Sequence, residues 1–468
     1  MASESLWRRW LKRLSVGENR AIDAVPTQSG ARSAPKSPLQ PRSTDQRGMP
    51  AAMAPARIPP APRKKEPLDA IMGVDLGTAS TRIVIRTPFR GGGRAMAVSF
   101  GDLAHRSSPF LLPTKLYESA SGALSLSAKR GATCHSDVKV AVMGESADPV
   151  AVARAAAYLA LAIRIARDAF TASDRSLTTH HDLRWQVNIG VPSAGYDDRA
   201  VRDRFRSVAS AGWLFSEHEP AYVSSRLDAL LGSNLDPGIQ VEAIPEVAAQ
   251  AVGYARSPYR DPGLHVLVDV GATTLDVCGF MLNETGGEDN YSLLTASVSP
   301  LGVVELHRTR AAQLGFESEL DDPIAEIPDR PSPGDGEFRD RCVAKIMQCL
   351  MYLKRHRDPN SSRWHESLPV FLCGGGSYVP LYREALEEAD KRLRSSTNAK
   401  GLLVRSLPVP ASISSMGIKE DFFHRLSVAY GLSFDRFNFG EIQSPKEIEN
   451  VPPPSHRAPK PFVGKEHV

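Results

Sequence analysis

Ile71-Met72-Gly73-Val74-Asp75-Leu76-Gly77-Thr78-Ala79-Ser80 and Leu267-Val268-Asp269-Val270-Gly271-Ala272-Thr273-Thr274-Leu275-Asp276-Val277 carry one pattern twice, with Asp75 and Asp269 194 residues apart. In each, a short apolar run reads as a buried strand ending in Asp. A Gly/Thr turn follows, and a second strand returns, Arg82 to Arg86 in the first copy and Leu275 to Leu282 in the second. Such a hairpin sets backbone N–H groups and hydroxyls beside a carboxylate, which suits a nucleotide phosphate with Mg²⁺: amides cradle oxygens and the Asp orients metal-bound water. One copy alone would equally suit an ordinary hairpin or an aspartic protease. Two copies at this spacing read as an internal duplication. The Asp-x-Gly order also differs from the protease Asp-Thr/Ser-Gly, and a helical stretch such as 147–170 has no place in an all-β protease.

A third glycine turn lies downstream. Val370-Phe371-Leu372-Cys373 reads as a strand, Gly374-Gly375-Gly376-Ser377 as its turn, and Pro380 to Leu393 as the helix after it. Glycines there allow close backbone approach, here to a flat adenine and ribose. With these three elements in order, the chain resembles the actin-like ATPase superfamily of actins, sugar kinases and seventy-kilodalton heat-shock chaperones. The resemblance implies an α/β fold of two duplicated lobes with a nucleotide cleft between them. It makes Asp75, Gly77, Thr78, Ala79 and Ser80 the first phosphate loop, and Asp269, Gly271, Ala272, Thr273, Thr274 and Asp276 the second. Gly374, Gly375, Gly376 and Ser377 become the adenosine loop. Ala79 stands where the family has a hydroxyl, which removes one phosphate contact.

Two Ala/Gly-rich segments, Pro245-Glu246-Val247-Ala248-Ala249-Gln250-Ala251-Val252-Gly253-Tyr254 and Ser427-Val428-Ala429-Tyr430-Gly431-Leu432, resemble the family's connecting helices, whose small residues let them cross closely as a hinge. Trp185 to Ser193, then Asp197-Asp198-Arg199 and a helix ending Ala209-Ser210-Ala211-Gly212, resemble the heat-shock branch. The 105 residues from Asp269 to Gly374 are fewer than in the chaperones, so the outer part of the second lobe is expected to be trimmed. A stretch near 216–238, with a helix Tyr222 to Leu231, reads as an insertion. Expected boundaries are an arm 1–67, lobe I 68–256, lobe II 257–407, a connecting helix 408–438 and a disordered tail 439–468. No peptide-binding β-sandwich is expected after it.

Composition frames these motifs. Residues 1–67 carry 13 Lys/Arg against 5 Asp/Glu and 10 prolines, so the arm is strongly basic while the remaining chain carries a net −4 of the total +4. Such an arm cannot bury enough apolar surface to offset its ordering entropy and is expected to be disordered. The slightly acidic body argues against nucleic acid as a partner. The arm's first residues differ: Leu6, Trp7, Trp10, Leu11 and Leu14 share one helical face, and Arg8, Arg9, Lys12 and Arg13 the other. Residues 4–16 therefore describe an interfacial membrane helix or a docking helix for a partner protein. Five scattered cysteines without Cys-x-x-Cys exclude a zinc knuckle and a disulfide framework. No continuous apolar run approaches the ~20 residues of a transmembrane helix. The expected location is cytoplasmic, or peripheral at a membrane through the arm.

The resemblance implies ATP or ADP with Mg²⁺ as ligands and Mg²⁺-dependent ATP hydrolysis as the activity. Asp75 and Asp269 would hold Mg²⁺ through water, Glu246 or Gln250 would orient the attacking water, and Asp276 would assist. The catalytic lysine of the chaperones has no motif here; Lys115 and Lys129 lie in the right region, and each also reads as a surface lysine. Lys354 and Arg355, late on a helix Phe338 to His356, stand where the family flanks adenine, or at a solvated helix end. His180-His181 reads as a loop, and Gly91-Gly92-Gly93 and Gly286-Gly287 as hairpin turns. The leading expectation is a chaperone-type ATPase switch acting on an unknown protein partner, with homo-oligomerisation left open. The alternative is a membrane-associated actin-like filament or scaffold protein; a sugar kinase lacks its binding signature, and a non-hydrolysing scaffold would not need the four acidic residues.

Overall fold

The structure, a computed structural model, describes residues 65–451 apart from 91–92, 137, 145–147, 218–235, 286–287, 316–331, 415–417 and 419. The arm helix at 4–16, the helix expected at Tyr222 to Leu231 and residues 452–468 lie outside the described residues, as do four of the five glycines assigned to hairpin turns.

The chain is a mixed α/β fold. Strands β1 (Glu66–Leu76), β2 (Ser80–Arg86), β3 (Ala95–Ala97) and β4 (Leu112–Pro113) come first, and β5 (Leu116–Glu118), β6 (Leu124–Ser125) and β7 (Thr133–His135) form a small sheet. With β8 (His181–Val191) and β9 (Gln240–Pro245) they complete a six-stranded sheet ordered β3-β2-β1-β8-β9, β4 pairing with β2. A second six-stranded sheet is ordered β14-β13-β10-β11-β12-β15, from β10 (Gly263–Val270), β11 (Leu275–Thr285), β12 (Glu288–Ser299), β13 (Leu368–Cys373), β14 (Leu402–Arg405) and β15 (Ile442–Gln443).

Each sheet has the same centre. In the first, β1 pairs antiparallel with β2 and parallel with β8; in the second, β10 pairs antiparallel with β11 and parallel with β13. The two central strands are nearly continuous apolar runs because both faces are covered, as parallel pairing demands. Ala156 and Leu159 of the helix Pro149–Ser173 pack against Gly212 of the helix Arg199–Glu217 over the first sheet. Gly212 has to be small, since a Cβ there would stand 2.8 Å from the Leu159 Cβ. Pro149–Ser173 is long and apolar enough to cross a membrane, beyond what the uninterrupted runs suggested, but 61% of its apolar window is buried against this sheet and its partner helix. It is a core helix. The helices Asp335–Tyr352 and Pro380–Ser396 cover the second sheet.

A third core joins the two sheets and centres on the helices Glu246–Ala255 and Ser427–Leu432. They cross so closely that a Cβ on Gly431 would strike the Ala249 carbonyl oxygen. Asn188 of β8 fixes the second helix from the first sheet, its Nδ2 donating to the Leu432 carbonyl at 2.7 Å and the Phe434 carbonyl at 2.9 Å.

Two expectations need correction. Residues 440–451 are not the start of a disordered tail: β15 lies parallel on β12, Tyr291 N–H donates to the Glu441 carbonyl at 2.9 Å, and Val451 N–H donates to the His356 carbonyl at 2.8 Å. An unpaired β12 edge needs a partner for its backbone groups, and this segment supplies one despite its polar composition. The helix Asp335–Tyr352 gives way to a π-helical turn over Leu353–Arg357. That turn carries Lys354 onto the Trp364 ring, 4.8 Å from its centroid.

Candidate functional site

Both Asp-ended hairpins are pinned by neighbouring elements. In the first turn, Gly77 N–H donates to the Asp75 carbonyl at 3.1 Å; Thr114, just past β4, donates its N–H to the Ala79 carbonyl at 3.0 Å and its hydroxyl to the Gly77 carbonyl at 2.8 Å. In the second, Gly271 N–H donates to the Thr274 carbonyl at 2.8 Å. The first amides of the helix Val303–Leu314 then take the turn's carbonyls: Val303 N–H donates to Gly271 at 3.2 Å and Val304 N–H to Ala272 at 2.7 Å. A helix N-terminus has amides without intrahelical partners, so this docking satisfies both sides. The amides of Gly77 and Gly271 are thus used within the turns, which narrows the expected phosphate cradle to the turn tips. The tips meet: Thr273 and Thr78 hydroxyl oxygens are 3.4 Å apart.

Between them lies a cavity of about 360 Å³. Among the site residues expected from the sequence, it is lined by Asp75, Gly77, Thr78, Ala79, Glu246, Gln250, Asp269, Gly271, Ala272, Thr273, Thr274, Asp276, Gly374 and Gly375. Gly374 has φ +80°, and a Cβ there would strike Asp269 Oδ1 and the Val270 carbonyl, so only glycine fits against the second Asp. Three expected residues do not line it. Ser80 is buried at the start of β2, Gly376 packs on Val270 and Val303, and the Ser377 hydroxyl turns back onto the Gly374 carbonyl at 2.8 Å.

The cavity also holds three cations that the motifs did not include, Lys139, Arg82 and Arg425. Lys139 sits on the short helix Val138–Met143, 8% exposed, with Nζ 2.9 Å from Glu246 Oε1. Arg82 of β2 places Nη1 3.0 Å from Asp75 Oδ2. Lys139 is therefore the lysine of the cleft, and Lys115, Lys129, Lys354 and Arg355 do not line it. Lys139 and Arg82 left a trace in the sequence: Lys139 stands inside the apolar run Val138-Lys139-Val140-Ala141-Val142, and Arg82 falls where the strand returns past the turn. Gln250, one helical turn after Glu246, donates from Nε2 to Asp269 Oδ2 at 2.8 Å, while its Oε1 has no partner among the described residues.

Asp75, Glu246, Asp269 and Asp276 outnumber Lys139, Arg82 and Arg425 in this cavity, leaving a formal surplus of one negative charge. Burial, reinforced by the neighbouring Asp269 and Glu246, pushes the Asp276 carboxyl up to about 8; burial and Glu246 push Asp269 up to about 6. Burial likewise raises Glu246, with Asp75 adding to it and Lys139 opposing. Burial disfavours the Lys139 ammonium, but Glu246, Asp75 and Asp276 together hold it above its ordinary value. Asp276 Oδ1 is buried without a partner among the described residues.

No group of three or more His, Cys, Asp or Glu able to hold a metal ion directly occurs among the described residues, His180-His181 included. Magnesium dehydrates reluctantly and is commonly held by one or two carboxylates plus substrate phosphates. The surplus charge and the orphaned Asp276 oxygen fit that mode. No protein-family model matches the chain, and no curated protein matches it significantly.

Proposed function

We propose that the protein is a Mg²⁺-dependent ATPase of the actin-like superfamily, closest to the nucleotide-binding domain of the seventy-kilodalton heat-shock chaperones, and works as a nucleotide switch on a partner protein. The observation that carries the reading is the convergence of two register-equivalent Asp-ended hairpins, one from each sheet, on one cavity that also holds a Lys–Glu pair. The repeated sheet centres and the close crossing of two Ala/Gly-rich helices support the same assignment.

On this reading the turn tips Thr78–Ala79 and Ala272–Thr273 face the β- and γ-phosphates, and Gly374–Gly375 lie against the nucleoside. Asp269 and Asp276, in place of the expected Asp75 and Asp269 because Asp75 already has the Arg82 guanidinium 3.0 Å away, would hold Mg²⁺, which would neutralise charge on the phosphate oxygens. Lys139 supplies a cation to the γ-phosphate. Glu246, kept basic enough by burial and fixed by Lys139, orients a water and takes its proton. Gln250 ties the Glu246 helix to Asp269, so a change at the phosphates reaches the helix pair that joins the two sheets. Phosphate release from Mg²⁺-ATP tests the proposal, with Glu246→Gln as control. Turnover should fall by ~10²-fold or more in the variant, the order expected for a lost proton acceptor. Absence of ATP binding and phosphate release by the wild type would refute it.

A further inference from the structure

The helix Pro149–Ser173 leaves one corner of the first sheet open. There Ile85 of β2 stands opposite Met96 of β3, and Thr87 donates its N–H to the Arg94 carbonyl at 3.2 Å. The helix ends at Ser173, Asp174 turns the chain, and the short helix Arg175–His180 leads into β8. A cavity of about 150 Å³ lies between these strands and that turn, with Phe170 and Leu177 on its helical side. It shares no residue with the cavity between the Asp-ended hairpins.

Floor and rim differ in chemistry. Ile85, Met96, Phe170 and Leu177 make the floor apolar, while Arg90, Arg94 and Asp174 leave a formal surplus of one positive charge. Asp174 neutralises Arg90 only loosely. It caps the helix Arg175–His180, its Oδ1 accepting from the Ser176 N–H at 3.1 Å and from the Ser176 hydroxyl, and its Oδ2 is 3.7 Å from Arg90 Nη2. Among the described residues Arg90 Nη1 has no hydrogen-bond partner, and the exposed Arg94 makes no ion pair. The turn Thr87–Arg90, closed by Arg90 N–H on the Thr87 carbonyl at 3.3 Å, also holds Phe89 in water, 84% exposed.

A cavity of this size takes one ring or one branched side chain, much less than a drug-sized molecule. An apolar group alone leaves the two arginines unused, and an acid alone leaves the floor unused. An apolar side chain flanked by carboxylates engages both, the enclosed pocket anchoring it and the charged rim steering it. The arm that leads into β1, where Glu66 pairs with His181 at the end of the helix Arg175–His180, is basic and carries the wrong charge for this guest.

We propose that this corner of the first sheet is a docking site for an acidic segment of a partner protein, which seats one aromatic side chain in the cavity and sets its flanking carboxylates on Arg90 and Arg94. The site goes beyond the nucleotide reading and stands apart from it, since the two cavities share no residue.

The test uses the full chain and an end-blocked, fluorescently labelled pentapeptide of glutamates around a central phenylalanine, followed by polarisation at low salt. Binding should saturate, weaken ~10-fold or more when the phenylalanine becomes alanine, the scale of one buried ring, and vanish when lysines replace the glutamates. Arg94→Glu should weaken the acidic peptide ~5-fold or more and flatten its salt dependence, whereas Arg94→Lys should keep most of the affinity, because a rim charge steers without bidentate geometry. Arg94→Glu should melt like the wild type, since Arg94 has no ion pair in the fold to lose. The peptide series needs no variant and decides the question even where Arg94→Glu does not fold. Unlabelled phenylacetate, which offers the ring and one carboxylate without a chain, should displace the peptide only at far higher concentration. Failure of the acidic peptide to bind, equal binding of the lysine peptide, undiminished affinity in Arg94→Glu, or phenylacetate as tight as the peptide overturns the proposal.

Discussion

Asp276 shows how burial beside other carboxylates governs the behaviour of a single residue. Its carboxyl is held up to about 8 by burial and by Asp269, so the folded protein keeps this proton to a higher pH than the unfolded chain does. Stability then falls as pH rises from about 4 toward 8, because over that interval the folded state binds more protons than the unfolded one. Asp276→Asn should remove much of that slope and stabilise the nucleotide-free protein by ~1–3 kcal/mol at pH 8, while weakening Mg²⁺. Thermal melts of both proteins from pH 5 to 8 check this, and parallel curves would show that the side chain is not destabilised by its charge. Lys139 behaves oppositely, since its ammonium relies on the carboxylates around it. Lys139→Ala leaves Glu246 buried without its cation and should cost ~3 kcal/mol in urea denaturation, in addition to slowing turnover. Lys139→Arg, which keeps the charge, should restore much of the stability. At this scale the sequence was legible where placement follows a local motif: Asp75, Asp269 and Asp276 all line the one cavity. For Lys139 the sequence offers only a charge inside an apolar run and no hint of its partner, because Lys139 reaches Glu246 across 107 residues of chain.

Elements were easier to read than their neighbours. The strands ending in Asp, the glycine turn at Gly374 and the two small-residue helices are all present, because short apolar runs, turn residues and Ala/Gly faces are local signals. The edge pairing of β15 was missed for the converse reason: Ile442 and Gln443 have no strand pattern of their own and are held by the exposed backbone of β12. The extra residues at the start of β1 come from parallel pairing with β8, which runs from Glu66 opposite His181. Helix crossing is the element-scale property most open to test. Gly431→Ala puts a Cβ into the Ala249 carbonyl, where backbone cannot yield cheaply, and should destabilise by ~3 kcal/mol or lose soluble protein. Gly253→Ala, on the facing helix, meets the Tyr430 ring at 3.4 Å, an ordinary contact, and should cost no more than ~1 kcal/mol. Equal melting temperatures for the two variants would show that the helices do not cross as tightly as the structure has them.

For the whole molecule, the chain returns twice across the two sheets. It passes from the first to the second after the helix Glu246–Ala255, comes back through Ser427–Leu432, which packs on β1 at Gly73, and then crosses again to lie along β12. The last crossing is a strap of residues 440–451 secured at several points. Tyr352 donates its hydroxyl to Asn450 Oδ1 at 3.1 Å, Arg357 Nη2 donates to the Pro445 carbonyl at 2.8 Å, and the Ser292 hydroxyl donates to Gln443 Oε1 at 3.0 Å. None of these residues lines the cavity, so the strap can be removed without touching the proposed chemistry. Ending the chain at Phe439 should leave ATP affinity unchanged and lower stability by ~1–3 kcal/mol, the scale of a few lost hydrogen bonds and their packing. It should also expose the backbone of β12, and an unpaired edge recruits another strand. Light scattering of the truncated protein across a concentration series should then report more self-association than the full chain shows, and Lys placed at Ser292 on that edge should suppress the increase. A truncated chain that melts like the full one and remains monomeric at every concentration would mean that residues 440–451 rest on the second sheet without holding it.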